Sequence, residues 1–448
     1  MYSYWLKDSK KKKYPTLKSN IDTDILIIGG GINGISIAYE LSKYDYNIAL
    51  VEQNELYHAT TGYTTGKVTF QHGYIYQHLI KSKGKDNAKL YYQGNLLAIS
   101  HIQEIIKEHN IECDYQICSH SLYSKEKSKE FLNEVKAYET LNIPYIINKS
   151  KDYYFLTVED QAVFHVVKYL DGLLDVLDNR KNVSIFENTR IIKTEVDQKE
   201  KISFSDNDVE IRSKIIIFAC SYPVYKDFNF YFLKLKPTIS FVGEGKVKKE
   251  LNEAFITEDS PVFSIRPLSG NKVLFAGFSL DSAKLNTYED AKKLQSEALK
   301  KWCVLDSKNV WYNQDYQTLD GVPYIGQKEE DIYISTGFNK WGITNSILSS
   351  IMIKDLIINN KSEYEKLFSL KRGISIFKYI GYVFFNVYAF TKSKILYHRN
   401  PNCSHIGCSL RKNNISGTWD CPCHGSRFDK NGNPLIGPAK KNINMKEH

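Results

Sequence analysis

Three glycines close to the start of the chain have a spacing suited to binding phosphate. Gly29, Gly31 and Gly34 directly follow Asp24–Ile28, an apolar and β-branched run that predicts a buried parallel strand. Gly29 permits a tight turn, Gly31 lets the backbone approach a pyrophosphate, and Gly34 lets the next helix pack closely on the strand. A helix beginning at this turn directs free N–H groups and its positive dipole end at phosphates. The cluster therefore predicts a dinucleotide site.

An acidic residue completes this unit. Glu52 follows a second apolar run, Asn47–Val51, and lies 23 residues after Gly29. A carboxylate there accepts hydrogen bonds from ribose hydroxyls and disfavours a 2′-phosphate. Strand, turn, helix, strand and acid together predict a βαβ unit that binds a dinucleotide, against the alternative of a glycine turn without a ligand. The unit alone does not separate FAD from NAD.

A second group of residues with ligand chemistry lies near the end of the chain. Four of the eight cysteines fall within 21 residues there, together with two histidines: Cys403, His405, Cys408, Cys421, Cys423 and His424. Two cysteines and two histidines bind zinc tetrahedrally, or bind a [2Fe–2S] cluster with thiolates on one iron and imidazoles on the other. A structural disulfide knot is a third alternative. The two additional cysteines, and a glycine beside each hairpin, favour the cluster.

This pattern closely resembles the Rieske [2Fe–2S] domain. The resemblance implies four cluster ligands, namely Cys403, His405, Cys421 and His424. It also implies a disulfide between Cys408 and Cys423. Phe428 stands where high-potential relatives carry tyrosine, and losing a hydrogen bond to a cluster sulfur lowers the potential. We therefore expect a potential below that of respiratory Rieske centres.

The N-terminal unit resembles the D-amino-acid oxidase and glycine oxidase family of flavoproteins. The resemblance lies in Gly29–Glu52 with Ala59–Gly66, and in Asp320–Asn345 with the apolar stretch Ile347–Ile358, and it covers about residues 20–368. It implies FAD, whose ring would contact the backbone of the closing turn. No cysteine lies between Cys303 and Cys403, so the cysteinyl link of some relatives is missing there, and we predict non-covalent FAD. Further FAD-binding residues implied in this way are Thr60, Thr61, Gly62, Gly337, Gly342, Thr344 and Asn345.

Candidates for substrate contact come from the same resemblance. Arg266 stands at the position of a carboxylate-binding arginine in this family, and bidentate recognition of carboxylates suits arginine. His165 precedes an amphipathic stretch where relatives also place a histidine. We predict catalytic roles for both, against the alternative that each is structural. For His72 the sequence favours neither a functional nor a structural role.

These sites require three structural units. The predicted fold class is an α/β Rossmann-like FAD-binding domain with an inserted α+β antiparallel-sheet substrate domain, followed by a small all-β Rieske-type module. The predicted ranges are 20–85, 155–225 and 315–370 for the FAD domain, 86–154 and 226–314 for the substrate domain, 371–392 for a connecting apolar helix, and 393–448 for a shortened Rieske domain. Within the last range, 393–398 predicts a strand.

The connecting segment 374–390 raises a membrane question. It is 17 residues long and contains Lys378 and Asn386, whereas a spanning helix needs about 20 apolar residues. We expect a buried or interdomain helix, with an interfacial helix or a span as the alternatives. The prediction is therefore no transmembrane span, with weak contact to a membrane surface left open.

The charge of the chain is concentrated in its C-terminal part. The formal net charge is +9, but residues 371–448 hold 13 Lys and Arg against 3 Asp and Glu, so the remainder is almost neutral. This distribution argues against nucleic-acid binding and for docking to an acidic electron carrier. Scattered cysteines at four other positions, and the absence of a signal-like N-terminal run, predict a cytoplasmic protein.

Together the two sites predict a redox enzyme. The domain order resembles bacterial FAD-dependent oxidoreductases with a Rieske domain. We expect oxidation of a small amine or amino-acid-like substrate by hydride transfer to flavin, with one-electron transfer through the cluster to an external acceptor. The alternative is a flavin and iron–sulfur electron-transfer adaptor or redox sensor without small-molecule turnover.

Overall fold

A computed structural model describes residues 3–7, 12–150, 152–197, 200–223, 231–259, 262–281, 287–414 and 416–445. Three sheets organise this part of the chain. Eight strands form the first sheet: β1 Ile21–Ile28, β2 Ile48–Val51, β7 Val183–Phe186, β8 Ile191–Asp197, β9 Glu200–Ser205, β10 Glu210–Phe218, β16 Tyr324–Glu329 and β17 Ile332–Thr336.

The first sheet has a parallel centre in the order β17-β10-β1-β2-β7, with β16 antiparallel at one edge. Its central strands are apolar because helices cover them. Two of these helices, α2 Ile32–Leu41 and α8 Gly342–Asn359, pack against each other. This doubly wound arrangement brings the start of α2 and the start of α8 to the same end of the sheet, where ligands bind in such folds.

The second sheet is antiparallel except for one pair of strands, β12 with β4. Its nine strands are β3 Lys67–Val68, β4 Gln116–Ser124, β5 Ile146–Lys149, β6 Tyr154–Val163, β11 Leu235–Lys246, β12 Glu253–Thr257, β13 Phe263–Pro267, β14 Lys272–Asp281 and β15 Leu305–Thr318. The strands β3 and β6 lie here, although their residues fall in ranges predicted for the FAD domain. They pair with each other, and β6 also pairs with β4, so ladder hydrogen bonds assign both to this sheet.

The C-terminal module contains the third sheet. Its four antiparallel strands are β18 Arg411–Asn413, β19 Thr418–Asp420, β20 Arg427–Phe428 and β21 Pro434–Ile436. The connecting helix, α10 Ile376–Leu396, begins and ends later in the chain than the predicted range 371–392. The strand predicted at 393–398 is wrong, since this helix continues to Leu396.

The remaining helices cover the two large sheets. They are α1 Tyr4–Lys7, α3 Ile75–Lys83, α4 Lys85–His109, α5 Lys129–Leu141, α6 Val166–Asp178, α7 Thr287–Trp302 and α9 Glu365–Phe368, with 3₁₀ turns at Thr60–Tyr63 and Tyr231–Leu233. None of the helices in the described part of the chain combines the length and apolarity needed to cross a membrane.

Candidate cofactor sites

A groove opens where β1 ends and α2 begins. Gly29 has a φ of +119°, and a Cβ there would lie 2.7 Å from the carbonyl oxygen of Ala219 on the neighbouring strand. At Gly34 a Cβ would overlap the carbonyl of Gly29, so helix and strand can approach only because both residues are glycine. Gly31 caps α2 and lines the groove. The backbone is therefore shaped to admit a pyrophosphate at the helix start.

Glu52 lines the same groove. Its carboxylate accepts hydrogen bonds from the backbone N–H of Gly30, at 2.8 Å, and of Asn54, at 3.0 Å. Burial raises the pKa of Glu52 above its usual value. The carboxylate thus sits beside the glycine turn, where a ribose bound in the groove would meet it.

Residues from three parts of the chain line the same groove. The predicted FAD contacts among them are Gly29, Gly31, Glu52, Thr60, Thr61, Gly337 and Gly342. Gly342 begins α8, so a second helix N-terminus faces the groove. The other predicted contacts lie elsewhere: Gly34 and Gly62 pack against backbone, Asn345 donates to the Trp341 carbonyl, and Thr344 lines the adjoining cavity.

The adjoining cavity has a volume of about 830 Å³ and meets the groove at shared residues, among them Thr64, Asn313 and Asp315. Its wall comes mainly from the second sheet, and α10 contributes Tyr382 and Phe385. Since the groove and this cavity join at the start of α8, a compound in the cavity lies next to the position that a bound flavin ring would take.

One buried cation in this cavity was not recognised in the sequence. Lys67 on β3 is buried, and its ammonium group donates a hydrogen bond of 2.7 Å to the Ser264 hydroxyl. Burial, together with the nearby Arg266 guanidinium, lowers the pKa of Lys67 to about 7. The signal available in the sequence was a lysine inside the otherwise uncharged run Gly66–Gly73.

An acidic residue faces the same cavity. Glu258 follows β12, and burial raises the pKa of its carboxyl above the usual value. A Cβ at Gly73 would overlap the Glu258 carboxylate, so the glycine is what lets this group come close to the backbone. Within the described residues Lys67 and Glu258 form no ion pair, although each is in the other's field. Lys67 and Glu258 thus place a buried cation and a buried carboxylate on the cavity wall, which Lys236, Lys340, Lys378 and Asp315 also line.

His72 also lines the cavity. Its ring stacks on Trp341 with centroids 4.6 Å apart, and its nitrogens hydrogen-bond the Tyr91 hydroxyl and the Thr69 carbonyl, both at 2.8 Å. Burial lowers the pKa of His72 to about 3, so the imidazole is neutral. Because both ring nitrogens are occupied, His72 shapes the cavity wall.

Arg266 and His165 lie outside the residues that line the cavity. The Arg266 guanidinium donates to backbone carbonyls, including those of Gly66, Phe164 and Pro267, and stacks on Trp5. The Nδ1 of His165 accepts the Lys168 backbone N–H and so caps α6, while its ring packs edge-on against Trp5. Both placements favour the structural alternative over the predicted catalytic roles.

The C-terminal module brings its ligand-type residues together. The rings of His405 and His424 lie 5.2 Å apart, and burial lowers their pKa values to about 4 and about 3. The Nδ1 of His405 and both ring nitrogens of His424 are buried, and no described residue hydrogen-bonds them. Hydrogen bonding to the Cys421 thiol lowers the pKa of Cys403, while the pKa of Cys421 is raised.

This donor set fits a two-iron cluster. Two neutral imidazoles with unsatisfied nitrogens and two adjacent buried thiols are the ligands that such a cluster requires. The structure also joins Cys408 and Cys423 in a disulfide, as the resemblance implies. The sulfur atoms of Cys408, Cys421 and Cys423 lie within 4.8 Å of one another, so this bond lies directly beside one ligand. Bound here, a cluster would supply one-electron transfer.

The module docks on the outer face of β15. Gln314 donates a hydrogen bond of 2.6 Å to the Gly425 carbonyl, and Tyr316 donates one of 3.0 Å to the His424 carbonyl. The alternate residues Asn313 and Asp315 line the groove and the cavity. Because side chains alternate along a strand, β15 has the flavin groove on one face and the cluster loop on the other.

The module also closes part of the groove itself. Gln53 donates a hydrogen bond to the Leu435 carbonyl, and Arg190 donates one of 2.9 Å to the Ala439 carbonyl. Gly437 and Ala439 line the groove together with Gly29 and Glu52. The C-terminal residues are thus part of the dinucleotide site.

A parallel sheet with a glycine turn, a second helix N-terminus at the same edge and an attached Cys/His module define a flavoprotein fused to an iron–sulfur domain. Residues 24–356 match the family model for FAD dependent oxidoreductases, and residues 377–446 match that for the Rieske [2Fe-2S] domain. The chain belongs to the FAD-dependent oxidoreductase family; it binds FAD and, in its C-terminal domain, a [2Fe–2S] cluster.

Individual proteins agree with this placement. The chain is 29% identical to the Rieske 2Fe-2S iron-sulfur protein YhfW of Bacillus subtilis, over 98% of this chain and 96% of the relative. Glycine oxidase from Geobacillus kaustophilus superposes with a TM-score of 0.66 at 15% identity, covering 79% of this chain and 100% of its own. L-proline dehydrogenase from P. horikoshii gives 0.63 at 15% identity, covering 79% and 97%. The predicted family, fold class and cofactors are confirmed.

Proposed function

We propose that the chain oxidises an amine or amino-acid-like substrate in the 830 Å³ cavity and passes the electrons singly, through the Rieske cluster, to an external acceptor. Bound FAD supplies hydride acceptance as an electron pair, and a [2Fe–2S] cluster supplies single-electron transfer. The work of the protein is to place the two groups close together, to hold the substrate beside the first and to keep water out.

The observation that carries this proposal is the position of β15. One strand separates the groove from the cluster loop, with Asn313 and Asp315 on one face and Gln314 and Tyr316 on the other. The loop that bears His424 is held by two hydrogen bonds to this strand. A cluster held there lies as close to the flavin groove as the thickness of a sheet allows, which supports electron transfer between the two sites.

The charges in the cavity support an amino-acid-like substrate. Lys67 offers a buried cation for a carboxylate, and Glu258 offers a carboxylate for a protonated amine. An α-amino acid carries these two groups on one carbon, so binding it would satisfy both buried charges at once. Glycine oxidase and L-proline dehydrogenase, whose folds match this chain, are named for substrates of that kind.

An anaerobic mixing experiment tests the proposed function. Holoprotein with FAD and an assembled cluster is mixed with matched pairs of compounds: glycine and methylamine, and L-proline and pyrrolidine. Flavin absorbance should bleach with a member of the panel, and the EPR signal of the reduced cluster should follow. A Cys403→Ser variant, which lacks a cluster ligand, should bleach its flavin without that signal.

Two results would count against this proposal. Flavin that stays oxidised with every compound would favour the electron-transfer adaptor or sensor. If the flavin bleaches while the cluster of the unmodified protein stays oxidised, the proposed electron transfer from flavin to cluster across β15 is wrong.

A further inference from the structure

The outer face of α10 is a continuous apolar surface with nothing covering it in the described chain. Phe377 is 82% exposed, Phe384 70% and Ile395 68%. Further large apolar residues on this face are also exposed: Ile376, Ile380, Val387, Tyr388 and Leu396. Their spacing of three and four residues places most of them along one side of a 21-residue helix about 30 Å long. We call these eight residues the outer face of α10.

The opposite side of α10 is fixed to the protein. Tyr382, Ala389 and Ser393 are buried, and the Tyr382 hydroxyl donates a hydrogen bond of 2.9 Å to the Leu235 carbonyl. Ser393 accepts one of 3.2 Å from the backbone N–H of Ser409 in the module. The helix is therefore anchored along its inner side and cannot turn its apolar residues inward.

Along the chain, the charges in α10 and in the segments next to it have a single sign. From residue 366 to residue 419 the sequence contains nine Lys or Arg and no Asp or Glu. Lys371 and Lys378 are exposed near the start of α10, and Arg399 is exposed just beyond its end. An apolar strip bordered by basic residues is the pattern of a helix that lies in the plane of an anionic bilayer surface.

We propose that the outer face of α10 docks the protein on a bilayer containing anionic phospholipid. The apolar side chains enter the boundary between headgroups and acyl chains, and the flanking basic residues meet the headgroup phosphates. An acidic carrier protein fits the outer face of α10 less well, because the centre of that face consists of phenylalanine and isoleucine side chains. This proposal concerns location and does not depend on the proposed substrate or on electron transfer.

Vesicle sedimentation tests the proposal with the full-length holoprotein. Vesicles of phosphatidylglycerol and phosphatidylcholine in equal amounts should pellet the protein, and vesicles of phosphatidylcholine alone should pellet less than a tenth as much. Replacing both Phe377 and Phe384 by serine should lower partitioning at least about tenfold. Replacing Lys371 and Arg399 by glutamine should lower partitioning to the vesicles about fivefold per charge removed. A higher salt concentration should also lower it, because salt screens the attraction to the headgroups.

A matched variant controls for loss of an exposed apolar residue in general. Ile117→Ser changes a residue that is 61% exposed on β4, far from the basic segment in sequence, and should leave partitioning within about twofold. Cluster absorbance checks that each variant is folded. Two outcomes would overturn the proposal: equal pelleting of the wild type and the Phe377/Phe384 variant, or a wild-type dimer that requires these two residues and does not bind vesicles.

Discussion

Lys67 is the residue whose surroundings say most about the substrate. It is a buried ammonium group with one hydrogen-bond partner, the Ser264 hydroxyl, in a cavity that also contains Glu258. The arginine expected to bind a carboxylate is instead occupied by backbone carbonyls. Among the lysines that line the cavity, Lys67 on β3 is a buried one that can meet a carboxylate.

Replacing Lys67 by methionine should weaken binding of carboxylate-bearing compounds selectively. We expect the affinity for glycine or L-proline to fall about 10- to 100-fold, since a hydrogen bond to a charged group contributes about 1.5–3 kcal/mol, while methylamine and pyrrolidine change little. The measurement is perturbation of the flavin spectrum in anaerobic titrations. Lys107→Met, which removes the same charge from an exposed position on α4, is the control.

The pH dependence of this binding follows from the same group. Because burial lowers the pKa of Lys67 to about 7, its charge is present below neutral pH and is lost as the pH rises above 7. Affinity for the carboxylate compounds should therefore fall between about pH 7 and pH 9. Lys67→Met should abolish this slope; a slope unchanged in the variant would assign the titration to another group.

Phe428 is expected to influence the reduction potential of the cluster. Phe428 is fully buried in the core that contains the four module cysteines. Phe428→Tyr adds a hydroxyl that can donate a hydrogen bond toward the cluster sulfur, so we expect a higher reduction potential within the span of about −150 to +300 mV known for Rieske centres. Redox titration measures it, with Phe428→Leu as the variant that should show no increase.

Among the described elements, β15 lies between the two cofactor sites. Its alternating faces hold the groove on one side and the cluster loop on the other, and its register with β11 runs almost the whole length of both strands. A substitution confined to the face of β15 that holds the cluster loop should therefore alter docking of the module without altering the cavity.

Gln314→Leu tests this separation. It removes the hydrogen bond of 2.6 Å to the Gly425 carbonyl, which keeps a longer one of 3.4 Å from the Tyr316 hydroxyl, so we expect a cost of about 1 kcal/mol in docking of the module. Flavin bleaching by substrate should proceed at the unmodified rate, while the EPR signal of the reduced cluster should develop more slowly. Equal slowing of both steps would indicate damage to the cavity.

The disulfide supports the module at the same scale. It closes a 15-residue separation between Cys408 and Cys423, and a loop of that size contributes about 3 kcal/mol to stability. With both residues replaced by serine, cluster absorbance should be lost at lower denaturant concentration, whereas flavin release should shift little. Loss of both signals together would show that the module and the flavin domain unfold as one unit.

The cofactor sites were predictable from the sequence because their residues are close in the chain. Gly29–Glu52 forms one βαβ unit, and the cluster ligands lie in two short loops. Lys67 and Glu258 were not predictable, since residues 191 positions apart meet only after the second sheet forms. The strand predicted at 393–398 failed because its apolar residues satisfy either pattern, and packing of α10 on the protein decided for helix.

At the scale of the whole molecule, the position of the module shows where the excess of basic residues lies. The basic surplus of residues 371–448 belongs to the connecting helix and the Rieske domain, both packed on a nearly neutral flavin body. One side of this region closes the cavity and the groove, and the other presents the outer face of α10. The proposed electron exit and the proposed docking surface thus lie in one continuous segment of chain.

Because Gly437 and Ala439 line the groove, we expect the order in which FAD and the cluster are inserted to affect maturation of the protein. Residues 437 and 439, which are synthesised after residues 29–52, become part of the wall of the same groove. FAD that binds before the loop containing Gly437 and Ala439 has folded meets an open groove. We expect FAD that binds after the loop has folded to bind more slowly, because the loop must first move away. Maturation should therefore be fastest when FAD is inserted before iron and sulfide, and a chain given its cluster first should acquire flavin only slowly.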